Sequence, residues 1–250
     1  MRTDTLPAEL LEQATAPYRP LGNFTWRFAR GKLSADPAFA GLLQRGLLPP
    51  RARILDIGCG QGLLAALLGS LDGQSVAERQ WPAGWAPPPS HCWVRGIELM
   101  PRDVTRAQQA LGHLGERARF TLGDMCHTDF GQADAVVILD VLHYVAYAAQ
   151  EDVLRRVKSA LTPGGTLLLR VGDASAGLPF RISNWVDAAV TFVRGHRLAR
   201  LYCRTLDDWQ ALLRALGFAV EAIPMHQGTP FANILLVARL APPEGRGNGR

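Results

Sequence analysis

Short apolar runs of strand length alternate along this chain with stretches in which apolar residues recur every three or four positions. Ile54-Leu55-Asp56-Ile57, Trp93–Ile97, Ala118–Leu122, Ala135–Leu139 and Thr166–Val171 are runs of the first kind. Near-continuous apolar runs of this length mark parallel strands covered on both faces. Helical patterns lie between them. One opens at Gly62 and is rich in Leu and Ala, a second covers Pro101–Leu111, and a third covers Glu151–Leu161 with Val153, Leu154, Val157 and Leu161 on one face. This β-α-β-α-β order predicts an α/β domain on a parallel sheet. A long helical stretch is expected around Ile182–Leu201. Thr205 then caps a helix over Leu206–Leu216 that Gly217 ends, and Phe218–Ile223 with Ile234–Leu240 reads as a terminal hairpin.

Residues 1–50 carry no strand pattern. Asp36-Pro37 offers a cap followed by a proline at the first helical position, so a helix is expected from there to about Leu48, stopped by Pro49-Pro50. This N-terminal helical extension precedes a main domain over 51–240. Within the domain, 72–92 reads as a Pro-rich insertion, since Pro82, Pro87, Pro88 and Pro89 break helix and sheet alike. The Pro/Gly/Arg-rich stretch 241–250 reads as a disordered tail.

Composition narrows the class. A chain of 250 residues that is 48% hydrophobic has material for one full-sized core, and 20% charged residues is too few for a disordered chain. The net charge of +5 permits an acidic partner without identifying one. Cys59, Cys92, Cys126 and Cys203 form no C-x-x-C pair, which argues against a disulfide framework and for a reducing cytoplasm. His91-Cys92 and Cys126-His127 match no usual zinc spacing, so no metal is expected. No apolar stretch follows Met1-Arg2, so no signal peptide is expected, and the Leu63–Leu71 run is about half of what spans a bilayer.

The candidate chemistry centres on Ile54-Leu55-Asp56-Ile57-Gly58-Cys59-Gly60-Gln61-Gly62, a strand, a glycine-rich turn and a helix start. Glycines let the backbone turn sharply and lie against a ligand at the carboxyl end of a strand. A dinucleotide fingerprint needs a third small residue where Leu63 stands. Asp56 also disfavours a pyrophosphate and favours a cationic ligand. S-adenosylmethionine, with an ammonium and a sulfonium, suits the loop better.

These residues resemble the first motif of the class I S-adenosylmethionine-dependent methyltransferases, particularly the small-molecule branch, and the resemblance covers about 51–240. It implies a Rossmann-like seven-stranded sheet in the order 3-2-1-4-5-7-6, with strand 7 antiparallel and helices on its faces. Asp56, Gly58, Cys59, Gly60 and Gly62 would hold the methionine portion of the donor. Glu98, followed by Leu99, matches the acidic residue on the ribose hydroxyls. The interval from the loop to Glu98 exceeds the usual gap of about 20 residues, and the 72–92 insertion accounts for it. Gly123-Asp124-Met125 matches the adenine contact. Ala135–Tyr144 matches the fourth-strand motif, with Asp140 at the strand end touching the donor or orienting His143. Pro163-Gly164-Gly165 matches the turn into the fifth strand.

Methyl transfer to oxygen needs alignment, dryness and a base for the acceptor proton. His143 is the candidate base, and Tyr144 is a candidate donor to an acceptor oxygen. The resemblance makes the N-terminal segment a lid, from which Arg30 or Lys32 would meet the donor carboxylate. It makes 176–204 the substrate cover. There Phe180, Trp185 and Phe192 suit an apolar or aromatic acceptor, while Arg181, Arg194, Arg197, Arg200 and Arg204 suit an anionic one, such as a carrier-protein-bound acyl chain or a lipid-like surface. The expectation is a small-molecule acceptor. RNA or protein is the alternative. Against nucleic acid, Asp140-Val141 stands where amino-group base methylases carry Asn/Asp-Pro-Pro-aromatic.

Overall fold

The computed structural model describes residues 5–72, 81–172, 201–225 and 233–240. The expected helix around Ile182–Leu201, nearly all of the 176–204 region, part of the 72–92 insertion and the 241–250 tail lie outside the described residues. The strands are β1 (Arg53–Ile57), β2 (Trp93–Glu98), β3 (Ala118–Leu122), β4 (Ala133–Leu139), β5 (Leu161–Gly172), β6 (Phe218–Pro224) and β7 (Asn233–Leu240). They make a seven-stranded sheet in the order 3-2-1-4-5-7-6, as the resemblance implied. The chain divides into two units, residues 1–129 with 225–229, and residues 130–224 with 230–250.

In the first unit, β1, β2 and β3 run parallel, with Asp56 level with Gly96 and Glu98 level with Leu122. The carboxyl ends of the strands therefore lie side by side. The helices are α1 (Ala8–Thr15), α2 (Asn23–Ala35), α3 (Pro37–Gln44), α4 (Leu63–Gly69) and α5 (Pro101–Leu111). α1 packs on α2 and α4, and the 3-10 turn Ala16–Leu21 packs on α5. Leu10, Ala14, Tyr18, Ala29 and Leu33 are thereby buried, each large apolar side chain contributing about 2 kcal/mol of transfer free energy. Asp36 caps α3, its carboxylate accepting from the Ala38 N–H at 3.0 Å. The helix ends at Gln44 rather than near Leu48, because Gly46 turns left-handed (φ +61°). The Gly46 and Leu47 N–H groups then fold back onto the Leu43 and Leu42 carbonyls, which closes the helix. Among the described residues of the insertion, Trp81 to Cys92 forms no helix or strand, and Trp81 donates to the Ala86 carbonyl at 2.7 Å.

In the second unit, β4 and β5 are parallel, and β7 lies antiparallel between β5 and β6. Pro163-Gly164-Gly165 is not simply a turn ahead of the strand. Leu161 already pairs with Ala133, the chain bulges, and Thr166 resumes opposite Ala135. Gly164 supplies the positive φ of 77° this needs. The helices here are α6 (Tyr147–Ala160) and α7 (Leu206–Ala215). α6 starts four residues before Glu151, and its first turn carries the fully buried Gln150. Thr205 and Asp208 form a reciprocal capping box on α7. Among the described residues no helix is long and apolar enough to cross a membrane, and no group of His, Cys, Asp and Glu could hold a metal.

Candidate active site

In the first unit, Gly58, Gly60 and Gly62 all have positive φ, between 55° and 77°. Two of them are glycine for different reasons. A Cβ on Gly62 would lie 2.7 Å from the Phe120 ring and 3.0 Å from Leu111, so glycine lets the helix start pack closely. A Cβ on Gly60 would meet nothing within 4 Å. That stretch of backbone borders open space, which is what a ligand cradle requires. The loop is tied to β2 by the Gly58 and Cys59 N–H groups, both donating to the Ile97 carbonyl at 2.8 and 3.2 Å.

Glu98 completes the cradle. Its Oε2 accepts from the Gly60 N–H at 2.8 Å and its Oε1 from the Met100 N–H at 2.9 Å. Each oxygen keeps acceptor capacity for a hydroxyl. Asp56 is only 5% exposed. Burial first, and the nearby Glu98 charge second, push its carboxyl up to about 7. Two carboxylates held this close favour a bound cation. The Cys59 thiol is pushed well up by burial and by the charges of Asp56 and Glu98. Its Sγ would be 2.5 Å from a Cβ on Gly96. The Cys59 side chain therefore faces the sheet, leaving only its backbone for a ligand.

Asp124 sits in the turn after β3. Its Oδ1 accepts from the Cys126 N–H at 2.8 Å, and the Thr128 N–H and hydroxyl both donate to its carbonyl at 2.8 Å. These bonds close the turn, and Met125 beside Asp124 is half-buried. Leu99 and Leu122, at the ends of β2 and β3, are exposed at 58% and 54%. Exposed apolar groups at neighbouring strand ends suit a flat ring.

The N-terminal cations Arg30 and Lys32 each sit in a partly exposed ion pair. Arg30 pairs with Glu12 at 2.9 Å and lies 5.9 Å from the Trp26 ring, while Lys32 pairs with Asp36 at 2.6 Å. The structure thus gives Arg30 and Lys32 partners inside the helical layer, which is how a basic helix face is ordinarily satisfied.

In the second unit, Asp140 follows β4 with φ +58°, a left-handed conformation that Asp tolerates better than most residues. Both of its carboxylate oxygens are taken by Arg170. Nε donates to Oδ1 at 2.9 Å, Nη2 donates to Oδ2, and the Asp140 N–H donates to the Arg170 carbonyl at 3.3 Å. The carboxylate expected to orient His143 is therefore itself oriented by Arg170, which is 2% exposed on β5. His143 lies in the 3-10 turn Leu142–Tyr144, its ring 4.3 Å from that of Tyr144. Burial pulls its imidazole below the ordinary value, against the opposing pull of Asp140, so it is neutral at neutral pH.

The segment from Leu201 to Thr205 straps this turn. The Tyr202 N–H donates to the His143 carbonyl at 2.9 Å, and Gln150 Nε2 donates to the Tyr202 carbonyl at 2.7 Å. Arg204 donates to Gln150 Oε1 and to Glu151, both at 2.9 Å, and stacks 4.8 Å over Tyr147. Of the five arginines read as suited to an anionic acceptor, Arg204 is held by Gln150, Glu151 and Tyr147. The other four, with Phe180, Trp185 and Phe192, lie outside the described residues. Sequence reasoning passed over Tyr18, whose hydroxyl donates to the Gln61 carbonyl at 2.8 Å, and Arg170. A lone charge inside the run Thr166–Val171 was the one available signal for Arg170. Tyr18 offered none.

Residues 25–223 match the family described as a methyltransferase domain. The chain is 30% identical over 132 residues to carboxy-S-adenosyl-L-methionine synthase of Chromohalobacter salexigens, covering 52% of this chain and 43% of that one. It is 34% identical over 154 residues to acetylserotonin O-methyltransferase of Mus musculus molossinus, covering 61% and 34%. The chain thus spans less than half the length of these curated relatives. Magnesium protoporphyrin IX methyltransferase of Synechocystis, solved with S-adenosylhomocysteine bound, shares the fold. The TM-score is 0.57 at 20% identity, over 92% of this chain and 96% of that one.

Proposed function

We propose, since the chain belongs to the methyltransferase-domain family, that it transfers a methyl group from S-adenosylmethionine to an oxygen of a small molecule. The observation that carries the reading is the carboxylate pair of buried Asp56 and half-buried Glu98, at a glycine loop whose backbone borders open space. When bound, S-adenosylmethionine supplies an electrophilic methyl on sulfur. The residues present fit its charges and its shape. The loop and Asp56 suit the positively charged methionine end, Glu98 retains acceptor capacity for two ribose hydroxyls, and Asp124 with Leu99 and Met125 suits the adenine.

His143 takes the base role in this reading. It is neutral at neutral pH and can accept the acceptor's proton as the oxygen attacks. Asp140, fixed by Arg170, supplies a negative charge near the imidazolium that forms. The relative named for O-methylation of acetylserotonin supports an oxygen acceptor carried on a small aromatic molecule.

Calorimetric titration with S-adenosylhomocysteine tests the donor assignment. Asp56→Ala and Glu98→Ala should each weaken binding at least tenfold, and unchanged affinity in folded variants would overturn it. Label from methyl-labelled donor, offered with a panel of phenols and carboxylic acids, then reports the acceptor class.

A further inference from the structure

The donor loop is held at two consecutive residues from opposite parts of the first unit. Glu98, at the end of β2, fixes the Gly60 N–H. One residue on, Tyr18, in the 3-10 turn of the N-terminal segment, fixes the Gln61 carbonyl across 43 residues of sequence. We infer, resting on the donor-binding reading above, that Tyr18 is a positioning residue for donor binding, its hydroxyl holding the Gln61 peptide so that the Gly60 backbone presents the cradle.

A loop with three left-handed glycines has little conformational preference of its own, so its shape must be imposed by bonds from outside. Tyr18 is fully buried, between an N-terminal layer that includes Leu10 and Ala14 and the loop. Burial pushes its phenol far above the ordinary range, with the nearby Cys59 adding to the rise. The hydroxyl thus keeps its proton and remains a donor. Gln61 Oε1 is also buried with no hydrogen-bond partner among the described residues, so the residue is held through its carbonyl. Removing the Tyr18 hydroxyl would leave the Gln61 carbonyl buried and unpaired, and the loop could recover only by moving. The N-terminal segment then acts on the donor without touching it.

The test is Tyr18→Phe in the full chain, which keeps the ring and its packing. Calorimetry with S-adenosylhomocysteine should show about tenfold weaker binding, equivalent to about 1.4 kcal/mol. Thiol labelling of the native chain, read by peptide mass, supplies a second readout that general destabilisation would not reproduce. Cys59, buried in the loop, should label faster in the variant and be protected again by S-adenosylhomocysteine. Cys92, buried in the same unit, should label at its original rate. Wild-type affinity in the folded variant would overturn the inference alone, as would Cys59 and Cys92 accelerating together. A natural chain with no affinity for S-adenosylhomocysteine would overturn the donor reading and this inference with it.

Discussion

Replacing Asp56 with Asn should stabilise the ligand-free chain while impairing donor binding. The Asp56 carboxyl rises from 3.8 to about 7 on folding, chiefly through burial and secondarily through Glu98. Ionising it in the folded state therefore costs about 4 kcal/mol more than ionising it in the unfolded chain. The sign follows from the protons bound. Below pH 4 both states hold the proton and nothing changes. Between about pH 4 and pH 7 the unfolded chain has released it and the folded chain has not, so stability falls as pH rises, levelling off above the folded value. Asn carries no such slope. Urea unfolding of both chains without donor should show Asp56→Asn gaining on the natural chain by about 3 kcal/mol between pH 5 and pH 8. A gap that does not vary with pH, or one that closes as pH rises, would refute the reasoning. The same chemistry predicts that binding expels a proton near neutral pH, because the donor's ammonium pulls the Asp56 value down. The calorimetric enthalpy should then depend on the ionisation enthalpy of the buffer.

Two further outcomes are expected. His143→Gln should leave affinity for S-adenosylhomocysteine intact and remove a loss of stability that the natural chain shows below about pH 6.5, where the unfolded chain takes a proton that the buried imidazole refuses. Heteronuclear NMR should accordingly show a histidine signal that titrates below the ordinary imidazole value and is absent from the variant. Gly96→Ala should destabilise by about 1–3 kcal/mol, measured by denaturant unfolding, because the added methyl lands 2.5 Å from Cys59 Sγ and 2.7 Å from Phe120.

The parallel strands were legible because buried strands and amphipathic helices write different periods into the chain, and Asp56, Glu98 and Asp124 stood out as candidates because the first two sit near the ends of β1 and β2 and the third follows β3. Their interaction was not. The pressure of Glu98 on Asp56 depends on β1 and β2 being parallel and in register, which neither sequence segment specifies alone. The end of α3 was missed because the closing Gly46 acts through two backbone bonds that spacing does not reveal. The pairing of Arg30 with Glu12 and of Lys32 with Asp36 was likewise not legible, since these partners meet only once the helices are packed or wound. Tyr18 is the clearest case. A core aromatic and a hydrogen-bonded brace are identical in sequence, and only the partner carbonyl separates them.

The Arg170–Asp140 pair carries a consequence for how this protein can change over generations. Losing Arg170 alone strips the donors from both oxygens of a carboxylate on a left-handed turn, and losing Asp140 alone removes the carboxylate that accepts two bonds from a guanidinium sealed in the sheet. A lineage that abandons the pair must pass through a damaged intermediate or change both positions together. Substitutions at 140 and 170 should therefore travel as a unit among descendants of this chain, and the turn that carries His143 should be inherited with them.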